Sequence, residues 1–275
     1  MGNPIVSVDT LITQVVEAFK DPENLALTLA MANRLVTPSS RWTTSNQVLI
    51  GLAGTVDARS FQQWNDIERR VKKGSKAVYI VVPVVKKEDS KGKDNSAPTT
   101  VFNTVAKFRA EDTLGWNKDK GQWDDTPLEY ELRMLPSLWK KSAEWGLQVN
   151  YTSHVEPGYF GSYAPETRKI LLASESPVVF YHELVHAAHH RICGDEFNSI
   201  ERWKKEAVAE LAATVIAVLY EQDYPSPVKA SYDYIAGAAE DGLSVSKLCM
   251  SVLRDVGRVL REIIGEPPGL QEAAA

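Results

Sequence analysis

The chain has only two cysteines, Cys193 and Cys249, in helix-like surroundings and without C-x-x-C spacing. No disulfide framework is expected; the pattern suits buried thiols in a reducing, cytoplasmic compartment. Long apolar runs are missing too. The longest, Leu211–Tyr220, is far short of the ~20 residues that span a bilayer, so it reads as a buried helix and no membrane partner is expected. The first thirty residues carry Asp9, Glu17 and Asp21 and have no basic start leading into an apolar stretch. A secretory signal is therefore not expected. No internal repeat is visible.

What is present is the composition of a globular protein: 44% hydrophobic and 24% charged over 275 residues, a length that favours two modules over one. The net charge of −5 conceals a division. Residues 1–110 hold 15 Lys and Arg against 10 Asp and Glu, whereas the remainder holds 16 against 26. A basic first part joined to an acidic second part suggests modules with different partners. The expected boundary lies between residues 125 and 126.

Apolar spacing predicts helices over Asp9–Phe19 and Leu25–Leu35, with another over Thr44–Gly54. A fourth is predicted from Ser60 as N-cap to Gly74, with Phe61, Trp64 and Ile67 on one face. The β-branched run Lys76–Val85 reads as a strand, and Pro83 points to an edge. The charged stretch Lys86–Pro98 reads as the loop of a hairpin whose return strand begins at Thr99. Asp112–Pro136 is rich in Asp, Trp, Gly and Pro and reads as the connection between modules. Beyond it come a helix over Ser137–Trp145, a strand near Leu147–Tyr151, a hairpin-like stretch, and helices from Ser176 onward, broken at Asp223–Pro227. The expected class is α+β, with small sheets packed on helices.

Four of the five histidines fall between His182 and His190. Ser176 and Pro177 make a good helix start. Within that helix His182 and His186 are i and i+4, one turn apart on one face, and can converge on a single Zn2+. Glu183 stands beside the ion, where a general base for water is needed. The motif is H-E-x-x-H, in uncharged surroundings. Burying two histidines and a glutamate unpaired is costly, which disfavours the reading as an ordinary histidine-bearing helix. The metzincin extension is excluded, because His189 and Ile192 stand where it has glycine and histidine. His190 lies too far along the helix to share the ion. The third ligand is assigned to Glu206, with Glu210, also i and i+4 on an Ala/Val/Leu helix, orienting a ligand histidine; exchange of those roles is the alternative. His189 and His190 are expected at the rim or surface. Tyr163 and His154 are candidate oxyanion donors.

With these residues placed, the chain resembles the ArdC-type antirestriction proteins nearly end to end. The resemblance rests on RWTTSNQVLIGL, on FQQWNDIERRVKKGSKAVYIVVP, on VFNTVAKFRAEDTLG, on GSYAPETRKILLAS ahead of HELVHAAHH, and on KKEAVAELAA and ASYDYIAG. It implies an amino-terminal domain that binds single-stranded DNA, a zincin-like (gluzincin-type) metallopeptidase domain holding zinc, and protection of incoming DNA from restriction. Val185 replaces the glycine common before the second histidine, and Arg168 or Lys169 stands where the strand usually carries an acid.

For DNA, Arg69, Arg70, Lys72, Lys73 and Lys76 form a basic patch that Lys86, Lys87, Lys91 and Lys93 extend, with Trp42, Trp64 or Tyr79 available for stacking on unpaired bases. The same cations also suit the last turn of a helix, and Trp64 also suits a core. Two other readings stay open. One is a DNA-binding shield with a structural or vestigial zinc site, and the other is a peptidase acting on a host protein.

Overall fold

In the computed structural model the described residues are 6–86, 99–153, 160–222 and 244–267, with Ile235 and Gly237. Three helices open the chain. Helix α1 (Val8–Ala18) is capped by Ser7, whose hydroxyl accepts the Thr10 N–H at 3.1 Å. Helix α2 (Pro22–Arg34) starts with Pro22 behind the Asp21 cap, and α3 (Thr44–Leu52) follows a single 3-10 turn.

Strands β1 (Ala58–Arg59), β3 (Val78–Lys86) and β4 (Thr99–Arg109) form one sheet in the order β1-β4-β3. The β3–β4 hairpin is antiparallel from Val78↔Lys107 to Lys86↔Thr99. Pro83 thus lies on an edge strand, as expected. Part of that edge is occupied. The Asn46 side chain of α3 donates to the Val81 carbonyl at 2.8 Å and accepts the Val81 N–H at 2.9 Å, copying with one amide the two bonds of a neighbouring strand.

The expected helix from Ser60 to Gly74 is much shorter. Helix α4 covers only Phe61–Asn65, opened by a capping box between Ser60 and Gln63. Trp64 is 0% exposed, and its indole N–H donates to the Phe108 carbonyl at 2.8 Å. Glu68 then turns through φ 55, and the chain leaves as strand β2 (Arg69–Val71). The anticipated apolar face is divided, with Trp64 inside and Phe61 and Ile67 outside. Strand β2 pairs with β5 (Thr113–Asn117), which pairs with β6 (Gln122–Asp124). The stretch expected as a connection therefore holds a hairpin. Its turn is made by Asn117, whose side-chain oxygen accepts the Asp119 and Lys120 N–H groups at 3.1 Å, and by Gly121 at φ 62.

The second half contains α5 (Leu138–Glu144) and strands β7 (Gln148–Tyr151), β8 (Gly161–Ala164) and β9 (Lys169–Leu172) in the order β7-β9-β8. Strand β7 is parallel to β9, and β8 is antiparallel to it. Helices α6 (Pro177–Cys193), α7 (Arg202–Leu219) and α8 (Val245–Ile264) complete it. Of the loop expected over Lys86–Pro98, Lys86 instead ends β3 and the rest falls outside the described residues, as does the expected break at 223–227.

The expected division at residue 125 is not a gap in the core. Leu11, Val15, Phe19, Leu25, Leu29 and Val48 of α1–α3 share one apolar cluster with Leu211 and Ile216 of α7 and Val252 and Val256 of α8. Residues 131–133 are stitched to the end of α2, through Val36 N–H to the Glu131 carbonyl and Arg133 N–H to the Arg34 carbonyl, both 2.9 Å. The buried Arg133 guanidinium also donates to the Ile264 and Gly265 carbonyls, closing the C-terminus of α8.

Close approach of α3 and α8 depends on Gly257, where a Cβ would fall 2.0 Å from Thr44 Oγ1. Gly257→Ala is expected to destabilise the chain by about 1–3 kcal/mol in chemical denaturation. Thr44→Ala in the same chain is expected to recover part of the loss, a non-additivity that a double-mutant cycle reads directly.

Candidate metal centre and its cleft

Helix α6 begins at Pro177 and is buried along most of its length by Val178, Phe180, Leu184, Val185, Ala187 and Ala188. Val185, which replaces the more usual glycine, is fully buried in this core. That packing presses α6 against α7 and brings three donors together. The Nε2 atoms of His182 and His186 are 3.1 Å apart, and Glu206 Oε2 of α7 lies 3.5 Å from the first and 3.8 Å from the second. Among the described residues this is the cluster of His, Cys, Asp and Glu able to hold an ion, with all ligand atoms within 4.8 Å of one another. Tetrahedral bonds of ~2.0–2.1 Å place neighbouring donors ~3.4 Å apart, so this donor set fits a small divalent ion.

Glu206 and Glu210 occupy different positions. Glu206 meets the Nε2 side of the cluster, whereas Glu210 Oε1 lies 3.7 Å from Nδ1, the other nitrogen of His182. Glu183 is 6% exposed and tucked beneath β8. Gly161 makes room for it, since a Cβ there would fall 2.9 Å from Val179 Cγ1 and 3.1 Å from Glu183 Oε1.

Burial sets much of the electrostatics. It pushes the Glu183 carboxyl up to about 7, opposed by the charge of His182. It lowers His186 to about 3, helped by His182, so His186 is neutral, as a metal ligand must be. Burial also acts to lower His182, but the bond to Glu206 and the charges of Glu210 and Glu183 outweigh it and the net shift is upward. The His182 bond holds Glu206 below the usual carboxylate range against its burial, and burial raises Glu210.

These groups line an open cleft of about 1100 Å³. Tyr163 lines it as well, with its hydroxyl 2.8 Å from His190 Nδ1. His154 lies outside the described residues. Arg202 and Lys205 also line the cleft, and sequence reasoning missed them. A signal was there, because the first turn of α7 carries Arg202, Lys204 and Lys205 and no acid, against the preference of a helix N-terminus. Lys204 is held by Asp255 of α8 at 2.6 Å.

His189, expected at the rim or surface, is instead 1% exposed. Neither ring nitrogen has a hydrogen-bond partner, and the nearest carboxylate oxygen is Asp255 Oδ2 at 3.8 Å. His189 lies on the same face of α6 as His182 and His186, one turn beyond the second, where Phe197 and α8 cover it.

The expected DNA-binding residues divide. Arg69 is 7% exposed, donating to Thr113 Oγ1 at 2.7 Å and to the Thr126 carbonyl at 3.0 Å. It holds the sheet together, and the enclosed Trp64 has no ring face for a base. Arg70, Lys73 and Lys76 are exposed, and Lys72 pairs with Asp125 at 2.8 Å. Trp42 is half-buried with the Lys107 ammonium 5.7 Å from its ring, and Tyr79 is half-buried at a groove between α1, α2 and α3. Lys86 closes β3, while Lys87, Lys91 and Lys93 lie outside the described residues.

Fold and cleft together describe an α+β protein whose two halves share a core and whose carboxyl-terminal helices gather a His–His–Glu donor set. No family model and no curated protein matches the chain. Among solved structures, its fold is that of the ArdC antirestriction protein of plasmid R388. The metal-free structure of that protein aligns with a TM-score of 0.62 at 14% identity, covering 90% of this chain and 96% of that one. Its Mn(II)-bound structure aligns with a TM-score of 0.58 at 13% identity, covering 93% and 99%.

Gly161→Ala is expected to lower the melting temperature, by an overpacking cost of about 1–3 kcal/mol, because Val179 and Glu183 must both shift. A second expectation concerns pH. Burial holds folded His189 down at about 4 despite Asp255, with Lys204, Arg258 and Lys205 adding to the depression. The unfolded value is ~6.5, so unfolding takes up a proton between the two. Stability from this group is complete above the upper value and is lost as pH falls toward the lower. In chelator-treated protein, His189→Gln should flatten the decline of stability over that window by on the order of 2–3 kcal/mol.

Proposed function

We propose that this chain is an antirestriction protein that binds single-stranded DNA through its amino-terminal half and hydrolyses peptide bonds at a divalent-ion centre, with zinc as the ion. The observation that carries this reading is the convergence of His182, His186 and Glu206 beside a buried Glu183. The shared fold with an antirestriction protein, one structure of which contains Mn(II), supports it. His182, His186 and Glu206 would hold the ion, and the mixed imidazole and carboxylate set suits zinc. When bound, the ion supplies Lewis acidity toward water and a carbonyl oxygen.

The remaining roles belong to the chain itself. Glu183 projects into the cleft beside the ligands, where it takes a proton from water and returns it to the departing amine. Glu210 faces Nδ1 of His182 and fixes the orientation of that ring. Gly161 keeps β8 clear of Glu183. Tyr163, held by His190, is the donor proposed for the developing oxyanion.

Metal analysis of purified protein tests the ligand set. Wild type is expected to carry about one equivalent of zinc, His186→Ala and Glu206→Ala little, and Glu210→Ala to bind about 10–100-fold more weakly. Equal metal content in all four would remove the proposed centre. Glu183→Gln tests the chemistry. It is expected to keep zinc and DNA affinity while losing protection of incoming DNA in a restriction assay. Full protection by Glu183→Gln would instead favour a DNA shield whose metal is structural.

A further inference from the structure

The β2-β5-β6 sheet alternates sharply between its two faces. Arg69, Thr113 and Gly115 are buried, whereas Arg70, Leu114 and Trp116 between them are exposed or half-buried. The pairings Arg70↔Leu114 and Trp116↔Trp123 put Arg70, Trp116 and Trp123 on the same, solvent-facing side. There the two indoles meet edge to face, with centroids 5.4 Å apart and planes at 64°. The Arg70 guanidinium lies over the Trp123 ring at 5.6 Å. Trp116 remains 38% exposed. A tryptophan pair on a small sheet, braced by arginine and still open to solvent, does not serve the core, which lies on the other face.

The charges around it also divide. Lys72, Lys118 and Lys120 are paired with Asp125, Glu68 and Asp124. Lys73 and Lys76, in the turn that leads from β2 to β3, have no carboxylate within ion-pair distance among the described residues. Lys73 and Lys76 follow the end of β2, whereas Trp116 lies beside its start, so Arg70 is the cation that the aromatic face itself carries. An extended polyanion with flat unsaturated rings matches both features. Its rings stack on indole, and its phosphates meet Arg70.

We propose that Trp116, Trp123 and Arg70 form a stacking site for an unpaired nucleobase of single-stranded DNA. Trp116 offers the open ring, Trp123 holds that ring in place, and Arg70 fixes Trp123 while reaching the adjoining phosphate. This site rests on the DNA-binding reading given above and locates it away from Trp64 and Arg69. Duplex DNA, whose bases are already stacked, gains only the phosphate contacts.

The experiment uses the full chain and a fluorescein-labelled oligothymidylate, with a duplex of equal length beside it. Wild type is expected to bind the single strand more tightly than the duplex, with quenching of tryptophan emission. Trp116→Ala should weaken single-strand binding by roughly 5–100-fold without changing duplex binding or melting temperature, and Trp116→Phe should retain most of it. Arg70→Ala should weaken binding and reduce its salt dependence. Wild-type affinity in Trp116→Ala overturns the stacking site and leaves DNA binding intact. Equal affinity for both DNA forms overturns it in favour of phosphate contact alone. No wild-type binding to either form removes the DNA reading and the site together. Loss of protection in Trp116→Ala with single-strand affinity unchanged assigns the face to a protein partner and overturns the proposal.

Discussion

The contact of α6 with α7 is the constraint on which the rest of the molecule depends. Each helix is nearly encircled by apolar neighbours, so neither can rotate to give its polar residues to water. His182, Glu183 and His186 on one helix and Glu206 and Glu210 on the other must find partners in the seam between them. Apolar burial supplies the attraction that holds five ionisable groups near one another. The burial that assembles them also splits their proton affinities, driving His186 down and Glu183 up.

The surrounding elements read as supports for that seam. Asp255 of α8 holds Lys204, two residues before Glu206, and so fixes the start of α7. Strand β8 closes the cleft over Glu183, with Gly161 at the point of closest approach. The opening helices add a layer behind: α2 lies along α7, and α3 meets α8 where Gly257 allows it.

The sequence was most legible where one local rule dominated. Helix periodicity located α1, α2 and α3 to within a few residues, and Ser176-Pro177 marked the start of α6 though not its end at Cys193; the i, i+4 spacing of His182 with His186 and of Glu206 with Glu210 placed four cleft groups. It was least legible where a distant partner decided. The run after Ser60 has good helical spacing, but Trp64 is drawn to the Phe108 carbonyl and Arg69 to Thr113 and Thr126. No local pattern encodes those bonds. The tryptophans of β5 and β6 were read as loop because glycine and aspartate around them carry turn signals; Asp119 and Gly121 do form a turn, and the tryptophans lie in the two strands that it joins. His189 was misplaced because its neighbours His190 and Arg191 suggested a surface, whereas Phe197 and α8 cover that end of the His182–His186 face.

The shared core also bears on how such a chain can change over generations. Its charge division suggests two transferable pieces, yet α1–α3 supply part of the wall behind α6 and α7. A recombination junction near residue 125 would sever that wall, and each descendant would inherit an apolar face lacking its counterpart. Exchange with another lineage should therefore be tolerated where whole layers travel together, so that the two halves are inherited as a linked pair.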